Sequence, residues 1–434
     1  MKNDSLTWLM YGLPLLLVIL VQLYRQRKHR RNAKILKKNV KAGLHEPPSL
    51  HPLINSHLCV GCGACVHACP EGDVLGLIGG KASLISAQHC IGHGACQAAC
   101  PFHAISLVFG TETRGMDIPH VKENFETNVP GIFIAGELGG MGLIRNASEQ
   151  GRQAIDGISK LKGIGKGRDC DVVIIGAGPA GFSASLSAME KKIRYITLEQ
   201  DSLGGTVFKY PRGKIVMTAP VKLAIVGKIK LGETSKEALL ELWTGIEKKT
   251  KVKINYREKM ETISRDGHGF VVKTNKRSYK SHAVLLCIGR RGTPRKLDVP
   301  GEDSSKVVYS LIDPEQYRGQ HILVVGGGDS ALEAALSIAE EPKTQVSLSY
   351  RSEAFGRVKE KNRLRLKQAE AKNAIRVYLS SNVKEIMAKK VVLEQHGKTF
   401  ELKNDGVIVC AGGVLPTPFL KEIGIEVETK YGTE

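Results

Sequence analysis

Aromatic side chains are scarce in this chain, at 5% of 434 residues with two tryptophans. That composition speaks against an all-β sandwich, and 47 glycines suit an α/β protein with many tight turns. Alternation of basic with aromatic residues, the habit of RNA and single-strand binders, is absent, so the net charge of +20 does not signal a nucleic-acid partner. Acids are nearly missing from residues 1–41, which carry ten lysines and arginines against Asp4 alone. The rest of the positive excess is spread thinly, as on an ordinary solvated surface. Beyond Cys100 only Cys170, Cys287 and Cys410 remain. No two of them stand two residues apart, which excludes a redox Cys-x-x-Cys pair there. The length calls for two to four folded units.

One uncharged run stands out. Leu6–Tyr24 reads LTWLMYGLPLLLVILVQLY, nineteen residues, close to the ~20 that a helix needs to cross the hydrocarbon layer. Trp8, Tyr11 and Tyr24 lie near its ends, where amphipathic rings favour the interface. The basic residues follow the run, and no small-x-small cleavage site ends it, so a cleaved signal peptide is disfavoured. The expectation is a transmembrane anchor over 1–24 and a basic juxtamembrane linker over 25–50, ending in Pro47-Pro48 and touching anionic headgroups. The positive-inside rule then puts all that follows on the cytoplasmic side, at a bacterial inner membrane.

Seven of the ten cysteines fall within residues 59–100, in a pattern that repeats once. The first copy is Cys59-x2-Cys62-x2-Cys65-x3-Cys69-Pro70 and the second is Cys90-x2-His93-x2-Cys96-x3-Cys100-Pro101. Such a run sets three thiolates around one iron–sulfur cube and lends its fourth cysteine to another. Disulfides are disfavoured where thiols stay reduced. Over residues 51–106 the sequence resembles the bacterial two-cluster ferredoxins. The resemblance implies one [4Fe–4S] cluster on Cys59, Cys62, Cys65 and Cys100, and a second on Cys90, Cys96 and Cys69. His93 stands where that family has cysteine, so the second site either takes an imidazole ligand, which raises its potential, or holds [3Fe–4S]. His67, His89 and His103 read as surface or packing residues.

Residues 171–181, DVVIIGAGPAG, place Gly176, Gly178 and Gly181 between an apolar strand and an apolar helix that opens on Pro179 and Ala180. The next strand ends in Glu199, where a carboxylate can take ribose hydroxyls. A second copy, HILVVGGGDSA at 321–331, supplies Gly326, Gly328, Asp329, Ser330 and Ala331 before a helix predicted over 330–340. No acid closes its following strand. Arg351 and Arg357 come instead, and arginine there accommodates a 2′-phosphate, favouring NADPH over NADH.

These two turns in series, with LLCIGRRGTPR at 285–295 and GVIVCAGGVLPTP at 406–418, resemble the thioredoxin-reductase-like flavoproteins over 107–434. The resemblance implies FAD at the first turn, nicotinamide nucleotide at the second, a homodimer, and a flavin contact at Gly204, Gly205 and Thr206. The family's closing segment, of the form N-x-PGIFIAGD and then an Arg-polar-Ala helix, matches Asn128–Glu137 and Ile144–Ala147, ahead of the first glycine turn. It adds Gly136, Glu137, Arg145, Asn146 and Ala147 to the FAD site, with Glu137 in place of the family's aspartate. A circular permutation is the expectation, with 162–167 as the splice and the ferredoxin module entering beside the FAD.

The fold class expected is α/β. Two Rossmann-like dinucleotide domains (FAD over 107–294 and 405–434, NAD(P) over 295–404) join a small α+β ferredoxin domain (51–106) and one transmembrane helix. The function expected is an NAD(P)H-dependent flavin/iron–sulfur oxidoreductase without a catalytic acid or base, serving a redox partner (a ferredoxin, a cytochrome or a membrane redox complex). A low-molecular-weight disulfide reductase of the bacillithiol type and a non-enzymatic redox sensor or electron-transfer subunit are the alternatives.

Overall fold

The computed structural model describes residues 2–41, 45–47, 50–90, 92–112, 115–140, 142–166, 168–210, 215–217, 220–229, 233–290, 292–355, 358 and 360–432. Arg357, one of the two arginines singled out above, lies outside them. The chain divides into two compact units, 1–115 with 430–434, and 116–429.

The first unit opens with one helix, Lys2–Lys41, that carries Pro14 within it. It runs unbroken through the basic residues, so 25–41 is helix and not linker. Asn32 Nδ2 donates to the Leu77 carbonyl at 3.1 Å, and Asn39 Nδ2 donates to the Ile85 carbonyl at 2.7 Å. Arg31 pairs with Asp73 at 2.6 Å. Among the described residues no helix is long and apolar enough to cross a membrane, which overturns the anchor over 1–24 and the inner-membrane location built on it. The side chains of residues 2–11, Trp8 among them, lie outside the description. The charged remainder of the helix is tied to the ferredoxin hairpin.

The ferredoxin part is built twice over. Strand His51–Ile54 pairs antiparallel with Ile105–Val108, and Leu75–Ile78 with Lys81–Leu84. Two short helices, Ala64–Ala68 and Ala95–Ala98, each begin after a left-handed glycine, Gly63 and Gly94 at φ 82° and 78°. Few apolar side chains are available, and the thiols of Cys59, Cys65, Cys90 and Cys96 take core positions with Val74, Leu75 and Ile105.

In the second unit a seven-stranded sheet runs in the order Asn255–Tyr256, Tyr195–Glu199, Cys170–Ile175, Ser278–Leu286, Gly269–Thr274, Met260–Asp266. The seventh strand, Ile132–Ile134, pairs in parallel with the end of Ser278–Leu286. Every residue of Cys170–Ile175 is buried, as expected of a parallel strand covered on both faces. Helices Ile144–Ile158 and Pro179–Glu190 pack so closely that a Cβ on Gly151 would lie 2.0 Å from the Ala180 carbonyl oxygen. A five-stranded parallel sheet follows in the order Val307–Val308, Gly406–Val409, His321–Val325, Gln345–Ser349, Ile375–Tyr378. Helix Asp329–Ala339 covers it, and a three-stranded antiparallel sheet spans 381–403. Strand Val427–Lys430 pairs with Met116–Pro119, bringing the two ends of this unit together.

Candidate functional site

The first glycine turn follows a buried strand, and its three glycines have different tasks. Gly176 has φ 100°, and a Cβ there would lie 2.5 Å from the Cys287 carbonyl oxygen. A Cβ on Gly181 would come within 1.8 Å of the Gly176 carbonyl oxygen, so this glycine seats the helix on the turn and does not line the cavity beside it. Gly178 is open, with no atom nearer than 4.0 Å to its β position, and it precedes the N-terminus of Pro179–Glu190, where free N–H groups favour an anion. Glu199 Oε2 accepts from the Ala177 N–H and Oε1 from the Asp201 N–H, both at 2.8 Å. Burial nonetheless holds its pKa above the usual carboxylate range.

Gly205, Thr206, Gly136, Glu137 and Ala147 line the same cavity as Gly176, Gly178, Pro179, Ala180 and Glu199. Gly136 donates its N–H to Gln150 Oε1 at 2.8 Å, which fixes the turn that presents Glu137. Gly204, Arg145 and Asn146 are not among the lining residues. Gly204 is structural: φ is 104°, its N–H donates to the Ala177 carbonyl at 3.0 Å, and a Cβ would meet Leu240 at 2.7 Å.

At the second turn a Cβ on Gly326 would meet the Cys410 carbonyl oxygen at 2.4 Å, whereas Gly328 faces open space. Asp329, Ser330 and Arg351 line the cavity, and Ala331 is fully buried behind them. Asn362 Nδ2 donates to Asp329 Oδ1 at 2.8 Å. Tyr350 stacks on Phe355 at 5.4 Å and presses on Gly327, where a Cβ would lie 2.3 Å from the ring. Tyr350, Arg295 and Lys209 line the shared cavity, and Asn362 supports Asp329. No spacing rule announces them, because loops and a distant helix deliver them.

Both turns open into one cavity of about 1260 Å³. That exceeds the ~300–1,000 Å³ of a pocket for one small ligand and suits two dinucleotides. The two glycine positions a pyrophosphate must approach, Gly178 and Gly328, are the open ones, so the residues fit FAD and a nicotinamide nucleotide. Cys410 and Cys287 also line it. Burial pushes the Cys410 thiol up to about 11 and raises Cys287 as well, so neither is a ready thiolate.

In the ferredoxin part Cys59, Cys62, Cys65 and Cys96 lie near enough to interact. Cys65 is pushed up to about 11, first by burial and then by those three neighbours. The Ala82 N–H donates to Cys59 Sγ at 3.4 Å and the Ala104 N–H to Cys100 Sγ at 3.3 Å. Cys69, Cys90, Cys96 and His93 line a second, smaller pocket with Glu71. Among the described residues no three His, Cys, Asp or Glu side chains gather around a single ion. A cube is wider than an ion and takes each thiolate on a different iron, so the donor set fits clusters. Glycine is required at Gly61 and Gly92, where a Cβ would lie 1.9 Å from the Gly80 and 2.6 Å from the Leu50 carbonyl oxygen.

Comparison with known proteins agrees with this division. Residues 173–433 match the family model described as pyridine nucleotide-disulphide oxidoreductase, and residues 51–101 match a 4Fe-4S dicluster domain. A ferredoxin–NADP reductase of Ignicoccus hospitalis is 27% identical over 271 residues, 60% of this chain and 83% of that protein. The bacilliredoxin reductase Bdr of Bacillus subtilis is 25% identical over 266 residues, 60% of this chain and 82% of that protein. The structure of bacillithiol disulfide reductase Bdr from Staphylococcus aureus shares the fold, with a TM-score of 0.51 and 23% identity, covering 61% of this chain and 85% of that one.

Proposed function

Because the chain belongs to the pyridine nucleotide-disulphide oxidoreductase family, a family of flavin-dependent reductases, we propose that it exchanges electrons between NAD(P)H and two iron–sulfur clusters through FAD. A one-electron redox protein such as a ferredoxin or a cytochrome is the partner. The observation that carries the reading is the single cavity onto which both glycine turns open, in a chain that also carries a dicluster domain.

FAD, when bound, supplies the conversion between the two-electron chemistry of a nicotinamide and the one-electron chemistry of a cluster. The chain's own residues hold and orient. Gly178 and the helix N-terminus behind it receive the FAD pyrophosphate, Glu199 the ribose hydroxyls, and Gly136, Glu137, Gly205 and Thr206 the flavin end. Gly328, Asp329 and Ser330 receive the nicotinamide nucleotide, and Arg351 meets a 2′-phosphate, which favours NADPH. Cys59, Cys62, Cys65 and Cys100 hold one [4Fe–4S] cluster; Cys69, Cys90 and Cys96 hold the second. A permuted order of the FAD domain is supported by the pairing of Val427–Lys430 with Met116–Pro119.

Anaerobic titration of the full-length protein with NADPH, followed by visible absorbance and EPR, tests the reading. Flavin bleaching followed by cluster reduction is expected; clusters that stay oxidised beside a bleached flavin overturn it. The relative named bacilliredoxin reductase favours a second reading, reduction of a small disulfide. Turnover of such a disulfide that survives Cys62→Ser would select it.

A further inference from the structure

The second cluster site has three thiols and a histidine where a fourth is expected, and its hydrogen bonds speak to what that histidine can do. The Ala95 N–H donates to His93 Nδ1 at 3.2 Å. A backbone N–H has no other role than donor, so Nδ1 spends its lone pair there. The proton of the neutral ring is then on Nε2, which faces Cys69 Sγ at 4.0 Å. An imidazole binds iron through a free nitrogen lone pair, and in this arrangement neither nitrogen has one. His93 is therefore placed as a hydrogen-bond donor to sulfur.

A carboxylate lines the same pocket. Glu71 lines it with Cys69, Cys90, Cys96 and His93, and its Oε1 is buried with no hydrogen-bond partner. A carboxylate oxygen buried without a partner is costly unless a cation or donor meets it. Glu71 stands two residues beyond Cys69 and lines the pocket with it.

Resting on the dicluster reading above, we propose that Glu71 supplies the fourth iron ligand of the cluster held by Cys69, Cys90 and Cys96, and that His93 donates its Nε2–H to sulfur there. The bond formed is carboxylate oxygen to iron, and the bond broken is that of a water on the incoming Fe(II). The iron brings the positive charge, and no electron or proton is transferred in forming it. A single oxygen-held iron in an otherwise thiolate-bound cube exchanges more readily than its neighbours, so this corner is the one through which the cluster passes between its three-iron and four-iron forms.

The test uses the full-length protein, reconstituted anaerobically with Fe(II) and sulfide and compared with Glu71→Ala, Glu71→Asp, His93→Ala and His93→Cys. Iron content, Mössbauer spectra and EPR are the readouts. The wild type is expected to show one iron site of oxygen character. Glu71→Ala should lose one iron per chain and, after one-electron oxidation with ferricyanide, give the oxidised three-iron EPR signal, and Glu71→Asp should recover the iron in part. His93→Ala should keep all the iron, with its cluster potential lowered. Loss of the iron from His93→Ala and its retention in Glu71→Ala would overturn the proposal, as would retention in both. The cluster on Cys59, Cys62, Cys65 and Cys100 reports folding in every variant. Absence of any cluster signal in the wild type would sink the dicluster reading itself, an outcome distinct from clusters that form but ignore Glu71.

Discussion

Arg351 illustrates what one side chain decides. It lines the shared cavity where an acid would repel a 2′-phosphate. Arg351→Ala is expected to raise KM for NADPH about tenfold, equivalent to about 1.4 kcal/mol, while KM for NADH stays unchanged; steady-state kinetics with both nucleotides checks this. Asp405 is a second case. It accepts from the His321 N–H at 3.0 Å, with His321 Nδ1 and Lys389 Nζ also on its carboxylate. The backbone N–H, ahead of those side chains, holds its pKa down to about 2. A depressed carboxylate stabilises the fold above its unfolded pKa and loses that contribution as pH falls from about 4 through about 2. Asp405→Asn should cost about 1 kcal/mol at neutral pH after allowance for solvent screening, and should flatten the acid limb of the unfolding curve over that interval. Chemical denaturation at several pH values reads both.

Elements meet through small residues. The crossing of Ile144–Ile158 with Pro179–Glu190 depends on Gly151, because backbone of one helix touches backbone of the other. Gly151→Ala should separate them at a cost of about 1–3 kcal/mol and lower the FAD content of the purified protein, measured by flavin absorbance and by denaturant midpoint. Gly327 plays a similar part against Tyr350. Gly327→Ala should impair NADPH binding while leaving FAD content intact, a difference that nucleotide titration of the flavin-loaded protein will show.

The unit 116–429 carries its own cores on both sheets. One gathers Phe133, Ile155, Val172 and Leu285, and another Val324, Leu332, Leu348 and Ile408. Expressed alone, residues 116–429 should fold, bind FAD and pass electrons from NADPH to ferricyanide without a cluster EPR signal. A chain that fails to retain flavin would count against its independence. The segment containing Ile132–Ile134 belongs to this unit although it precedes the first glycine turn, since its strand pairs with Ser278–Leu286.

Much of this was legible in the sequence, because the determinants are local. Cysteine spacing marks cluster ligands wherever the loop goes, and a strand–glycine–helix turn closes within a dozen residues. At the two turns the structure leaves Gly178 and Gly328 open, whereas Gly181, Gly204 and Ala331, which the sequence groups with them, are packed against backbone or core. The long uncharged run misled: hydropathy weighs a window of chain and cannot register that the helix continues through charged residues onto a ferredoxin hairpin. What tertiary structure alone decided is convergence. Residues as far apart as Gly136, Glu199 and Arg351 face one cavity, and a carboxylate at Glu71 shares a pocket with His93. Distances along the chain carry no information about such meetings, which only the packing of sheets and loops brings about.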